Sequence, residues 1–274
     1  MQSFSRALAL RTAAAYAVFP EVEAVALVGS QTDLLSDADS DLNLALFLAC
    51  PLDLAVRQAV VAGFAHQEES LSPVQTETRD AWFDKATGHC VDVRFYVQHE
   101  VSEQVTELLE YANLPPSRTS TTILHVLSTC EILFDRSFWL ENMRGFVSRP
   151  YPDALRRAVV EMHLPFIAPG PSSLLRQLSI AQKRRDDLGL ITASAEFTRH
   201  YFEILFALNG VYYPGSKLLI HQALSRCEVL PEDFHTQFQY FPESGTANFA
   251  DLAVDASRSL TLMAKEHLSL PTLL

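Results

Sequence analysis

The sequence predicts an α+β protein, with a small mixed-sheet α/β unit over residues 1–105 followed by an all-α helical bundle over residues 106–274. Three observations carry this. Short β-branched apolar runs alternate with helical periodicity up to about residue 100, as in a sheet with covering helices. Beyond Val101 strand-like alternation almost disappears and amphipathic segments follow one another. Glycine is scarce (9 in 274 residues), and the apolar residues are mostly Ala, Leu and Val, which favours helices over a turn-rich all-β fold.

The elements follow in order. Residues 3–17 read as an amphipathic helix, because Arg11 interrupts an apolar stretch too short for a signal peptide. Val22 to Val28 (VEAVALV) is a strand that ends at Gly29-Ser30. Residues 31–40, rich in Asp and Ser, read as a loop. Residues 41–48 (DLNLALFL) are a strand entering a core, and 52–65 a helix. Residues 74–83 and 90–97 (CVDVRFYV) are two further strands joined by a turn around Gly88. Helices are then expected near 101–112, 119–134, 151–166, 173–188, 191–209, 215–226 and 246–268, separated by Pro and Gly signals such as Pro115-Pro116 and Pro214-Gly215.

Composition narrows the function. The net charge of −12 opposes a nucleic-acid polymer as partner, since phosphate neutralisation needs a basic face. Residues 1–100 hold fourteen Asp or Glu against six Lys or Arg, so the acidity is densest at the front. No stretch approaches the ~20 apolar residues of a membrane span, and a cytoplasmic location is expected. The four cysteines are far apart, without a CxxC pair, and read as free thiols. Walker A, GxSxG and Rossmann glycine patterns are absent from the sequence.

The first unit holds the candidate chemistry. Asp41 and Asn43, two apart at the start of a strand, share a face. Asp92, between Val91 and Val93, faces away from the core those valines enter. If the strands are neighbours, Asp41, Asn43 and Asp92 converge, and hard oxygen ligands of this kind suit Mg²⁺ or Mn²⁺. Gly29 lets the backbone approach a phosphate, and Ser30 adds a hydroxyl and an amide donor. The structural alternative is an Asp41–Asn43 pair capping a turn, with Asp92 paired to Arg94.

The stretch LVGSQTDLLSDADSDLNLALF resembles the signature of the minimal and antibiotic-modifying nucleotidyltransferases, and VDVRFYV resembles the strand carrying that family's third carboxylate. The helical half resembles a domain found fused to such enzymes, through FALNGVYYPGSKLL (Phe206 to Leu219), Arg185-Asp186 and HVLSTCEILFD. The resemblance implies transfer of a nucleoside monophosphate from a nucleoside triphosphate to a hydroxyl of a small acceptor, with two divalent ions. Gly29 and Ser30 would hold the triphosphate, and Asp41 would be the first metal ligand. Asp92 would bind the acceptor-side metal and take the acceptor's proton. The sequence departs from the family at Asn43, where a second Asp bridges the metals; a neutral amide compensates two cations less well. Asp39 is a distant substitute. The alternative is a degenerate member that binds nucleotide, or a protein partner, without turnover.

In the helical half Lys217 is a candidate contact to the triphosphate. Tyr212 and Tyr213 are expected to pack a helix junction and Asn209 to cap a helix. The spacing of Arg157 and His163 resembles that of small helical ribonucleases, but one such coincidence is expected by chance. His89 and Cys90 lack further ligands for a softer metal site.

Overall fold

A computed structural model describes residues 2–29, 41–66, 72–115, 120–239 and 249–268. The fold is α+β, and the chain divides into two compact units. The first comprises Met1–Thr106 and Val126–Arg149, the second Glu107–His125 and Pro150–Leu274.

In the first unit α1 (Gln2–Ala17) is followed by β1 (Val22–Val28), β2 (Leu42–Leu48), α2 (Leu54–Phe64), β3 (Val74–Gln75), β4 (Arg79–Phe83) and β5 (Cys90–Val97). Later in the chain come β6 (Glu131–Asp135) and α5 (Trp139–Val147). The six strands form one mixed sheet in the order β3-β4-β5-β2-β1-β6. Only β2 and β5 run parallel; the other neighbours are antiparallel. Alternation sets the two faces. Val25 and Leu27, Leu42, Leu44, Leu46 and Leu48, and Val91, Val93 and Phe95 join α1 in one apolar core. The alternating residues Asn43, Ala45 and Phe47 on β2 and Asp92, Arg94 and Tyr96 on β5 occupy the opposite face.

Two expectations change here. Residues 74–83 form a tight hairpin of β3 and β4 instead of one strand, and the reversal at Thr76–Thr78 is held by a buried arginine. Arg57 of α2 donates from Nη1 to the Glu77 carbonyl at 3.0 Å and from Nη2 to the Thr76 carbonyl at 2.5 Å. Its Nε reaches Asp80 Oδ2 at 3.1 Å, its Nη2 also reaches Asp80 Oδ1, and its guanidinium lies over the Phe95 ring. The helix expected over 119–134 is cut short as α4 (Thr122–Thr129), and Glu131–Asp135 leaves it to pair with β1. Every residue of β6 is half-buried, so no alternation marks it as a strand. The turn around Gly88 forms with the glycine at φ +72°. It is tied by the buried Asp84 carboxylate, which accepts from Thr87 N at 2.9 Å and Thr87 Oγ1 at 2.8 Å.

Two helices, α3 (Gln98–Tyr111) and α4, cross the division between units. The second unit is otherwise built from α6 (Asp153–Ile167), α7 (Leu174–Arg184), α8 (Asp187–Leu208), α9 (Leu219–Arg226), α10 (Phe234–Gln239) and α11 (Phe249–Leu268). The Asp186 side chain caps α8 by accepting from Gly189 N at 2.9 Å. From His200 to Leu208 α8 is buried on every side, which makes it the central helix of this unit. Phe197, Tyr201, Phe202 and Phe206 pack there with Phe234, Phe238 and Phe249. Among the described residues no helix is long and apolar enough to cross a membrane.

Glu203 and His200 are two of the titratable groups inside this helical core. Glu203 is 1% exposed, and neither carboxyl oxygen has a hydrogen-bond partner among the described residues. The Ser120 hydroxyl and Thr121 amide favour its charged form without reaching hydrogen-bond geometry. Burial dominates and pushes Glu203 up to about 8. His200 moves the other way, down to about 3, through burial and the charges of Arg199 and His163. Its Nε2 faces Arg199 Nη2 at 2.9 Å and its Nδ1 faces His163 Nδ1 at 2.8 Å. The arginine can only donate, so neutral His200 donates from Nδ1 to His163.

Removing one partner of the Arg57–Asp80 pair strands a charge in the sheet's core. Asp80→Ala is therefore expected to lower stability by about 3–5 kcal/mol, read as a shifted urea midpoint; an unchanged midpoint would show that the pair does not hold the hairpin.

Glu203 and His200 also set a pH profile. Above about pH 6.5 unfolding lets Glu203 lose the proton it keeps when folded, so stability falls as pH rises towards 8. Below about pH 4.5 unfolding lets His200 gain a proton it refuses when folded, so stability falls as pH drops towards 3. Between these limits the two slopes cancel. Glu203→Gln should abolish the alkaline loss, about 2 kcal/mol between pH 6.5 and 8, while leaving the acid limb intact. Urea denaturation of both proteins from pH 4 to 8.5 measures this, and parallel curves would refute it.

Candidate functional site at the end of β1, β2 and β5

The parallel register of β2 and β5 places Asn43 directly opposite Asp92. On its other side Asn43 faces Val28, the last residue of β1, so Gly29 follows immediately beside it. Gly29 has φ +79°, a left-handed conformation that other residues adopt only with strain. A side chain added there would make ordinary contact with the Asn43 amide nitrogen at 3.5 Å, so backbone conformation rather than space calls for glycine. Asp41 precedes β2, and its backbone carbonyl accepts from Asn43 Nδ2 at 3.1 Å. Gly29, Asp41, Asn43 and Asp92 thus meet at one end of the sheet. Ser30 and Asp39 lie outside the described residues.

Two further residues complete the cluster, Arg79, which nothing in the sequence points to, and Cys90, considered there only as a metal ligand beside His89. Arg79 of β4 shares a sheet face with Asp92, because Ala81 is the direct partner of Asp92 and Arg79 stands two residues away. It grips that carboxylate from the diagonal: Nε is 3.0 Å from Oδ1 and 3.1 Å from Oδ2, and Nη2 is 2.8 Å from Oδ2. Asp92 is 7% exposed, whereas the Arg79 side chain is 47% exposed. The hydrogen bonds and charge of Asp92 raise the Arg79 pKa, with smaller contributions from Cys90 and Asp41. Arg94 lies directly opposite Arg79, and the expected pairing of Asp92 with Arg94 gives way to the cross-strand pair with Arg79. The second residue is Cys90, whose half-buried thiol lies close to the Asp41 carboxylate. Burial pushes this thiol up first, and the nearby Asp41 charge adds to it.

The donor set can be tested against the implied metal centre. Asn43 brings an uncharged amide, and Asp92 already has a guanidinium on both oxygens. Of the two carboxylates, that leaves Asp41 as the one not paired with a cation among the described residues. Nor do the described residues contain a group of three His, Cys, Asp or Glu able to hold a metal ion. Two divalent ions do not fit these side chains.

The remaining candidates lie in the second unit. Lys217 is exposed in the segment before α9. Asn209 caps the end of α8, donating to the Leu205 and Val229 carbonyls at 2.9 and 2.8 Å. Tyr212 packs on Tyr151 in a tilted arrangement with ring centres 5.0 Å apart, and Tyr213 is buried against Phe206. His163 is fully buried against His200, so its spacing from Arg157 is an accident of packing. Cys50 is exposed, Cys130 buried, and all four cysteines are free thiols.

Comparisons bear on both parts of the chain. Residues 117–219 match the family described as a domain of unknown function (DUF4037), a stretch that includes Phe206 to Leu219 and excludes the sheet-end residues. No curated protein matches the chain. A nucleotidyltransferase-like protein from Exiguobacterium sibiricum 255-15 is a structural relative at 17% identity, covering 95% of this chain and 77% of that one, with a TM-score of 0.40.

The proximity of Asp41 to Cys90 is open to direct measurement. In a Cys50→Ser background, Asp41→Asn should lower the Cys90 pKa and speed its alkylation at pH 8 severalfold. Cys130 and Cys227, pushed up by burial to about 11 and about 12, should stay silent. An unchanged alkylation rate would mean that the two side chains do not meet.

Proposed function

We propose that this chain binds a nucleoside triphosphate at the Gly29–Asp41–Asn43–Asp92 end of the sheet and works by nucleotidyltransferase chemistry. The reaction is transfer of a nucleoside monophosphate to a hydroxyl of a small acceptor. The observation that carries this is the β2–β5 register, which sets Asn43 against Asp92 beside a left-handed glycine. A glycine turn of this kind lets backbone amides approach phosphate oxygens. The charge of −12 favours a small, neutral or cationic acceptor over a nucleic acid.

A second reading draws on a specific observation. With an amide at position 43 and Arg79 seated on Asp92, the site has lost much of the negative charge that two catalytic ions require. On that reading the chain binds nucleotide, or a protein partner, without turnover. A single Mg²⁺ or Mn²⁺, carried in with the triphosphate and held by Asp41, is compatible with either reading.

One assay separates them. The protein is incubated with each labelled triphosphate and Mg²⁺ or Mn²⁺, beside Asp41→Ala and Asn43→Asp variants, and pyrophosphate and labelled product are measured. Product from the unaltered protein that falls at least a hundredfold in Asp41→Ala establishes the transferase. Product only after Asn43→Asp establishes binding without turnover. If neither protein retains any nucleotide, both readings fall.

A further inference from the structure

We infer that Arg79 is the resident cation of Asp92, occupying the place of a divalent ion and restricting this site to one metal. The inference deepens the reading above and depends on it only for the location of the site. A carboxylate 7% exposed needs a counter-charge, and its strand neighbours supply none: Asn43 on β2 is neutral and Ala81 on β4 is apolar. Arg79 supplies it with three contacts between 2.8 and 3.1 Å, a two-pronged grip that a solvated surface pair seldom achieves.

Charge counting links Arg79 to Asn43. Three carboxylates around two divalent ions leave one net positive charge. Two carboxylates, an amide, a guanidinium and one divalent ion leave the same net charge. The neutral residue at position 43 and the arginine at position 79 are therefore two halves of one exchange. An aspartate at 43 alone would leave the cluster short of positive charge, and removal of Arg79 alone would leave Asp92 buried and uncompensated. The Arg79 Nη1 group has no partner among the described residues, so the same guanidinium can hold Asp92 and still offer donors to an anion.

The test is Mn²⁺ binding to the full chain, followed by electron paramagnetic resonance, without nucleotide and then with a non-hydrolysable triphosphate. Asp92→Asn alone should leave the Mn²⁺ stoichiometry unchanged. Arg79→Gln combined with Asn43→Asp should add a Mn²⁺ site, or tighten binding at least tenfold, and adding Asp92→Asn to that pair should abolish the gain. Arg79→Lys keeps the charge and should not create the site, which separates loss of a cation from loss of folding. A Mn²⁺ ion in the unaltered protein that Asp92→Asn removes would overturn the inference, as would an Arg79→Gln/Asn43→Asp protein that stays folded and gains nothing. Failure of the nucleotide reading would appear separately, as a titration that the triphosphate leaves unchanged.

Discussion

The sheet-end site depends on a buried ion pair that takes no part in it. Arg57 and Asp80 lie in the core face, where an unpaired charge would be costly, and each neutralises the other. The guanidinium has donors left over, and it spends them on the carbonyls of the β3–β4 reversal. The pair therefore fixes both the turn and the phase of β4. Because side chains alternate along a strand, pinning Asp80 inward forces Arg79 to the opposite face, on the side of Asp92. Tyr16 of α1 adds a contact to Asp80 at 3.4 Å, which ties the first helix to the same anchor.

On the outer face the electrostatics are arranged for a cation, and the cation present is a side chain. Asp41, Asp92, Cys90 and Arg79 influence one another. The nearest uncharged member, Asn43, bonds a backbone carbonyl instead of a charge. This combination balances the carboxylate charge at the sheet end with a side chain. Burial first, and the charge of Asp41 second, push the Cys90 thiol up and make it a poor nucleophile at neutral pH.

Much of this was legible in the sequence where the signal was local. β1, β2 and β5 are apolar runs with clear phase, and Asn43 and Asp92 could be placed on the right strand and face from alternation alone, with Gly29 and Asp41 at the strand ends beside them. What escaped depends on partners distant in the chain. The hairpin at 76–78 has no glycine or proline, and its cause is an arginine some twenty residues earlier. The Arg79–Asp92 pair is diagonal across two strands, visible only once their register is known; on sequence alone Arg94, on the same strand as Asp92, was the natural partner. β6 follows α4 so closely that its apolar run reads as one more turn of helix. Glu203 stands within the apolar run Tyr201–Leu208, and its burial comes with that of its neighbours.

The late arrival of β6 has a consequence for how the protein is made. The sheet's fifth neighbour pairing, β1 with β6, is contributed by residues 131–135, after the other unit's stretch Glu107–His125 has been synthesised. Until then β1 offers an open row of amides and carbonyls flanked by Val25 and Leu27, a template for any stray strand. A fragment ending near residue 105 would carry that open border permanently. The emerging chain therefore gains its protection against self-association only when Glu131 to Asp135 leave the ribosome.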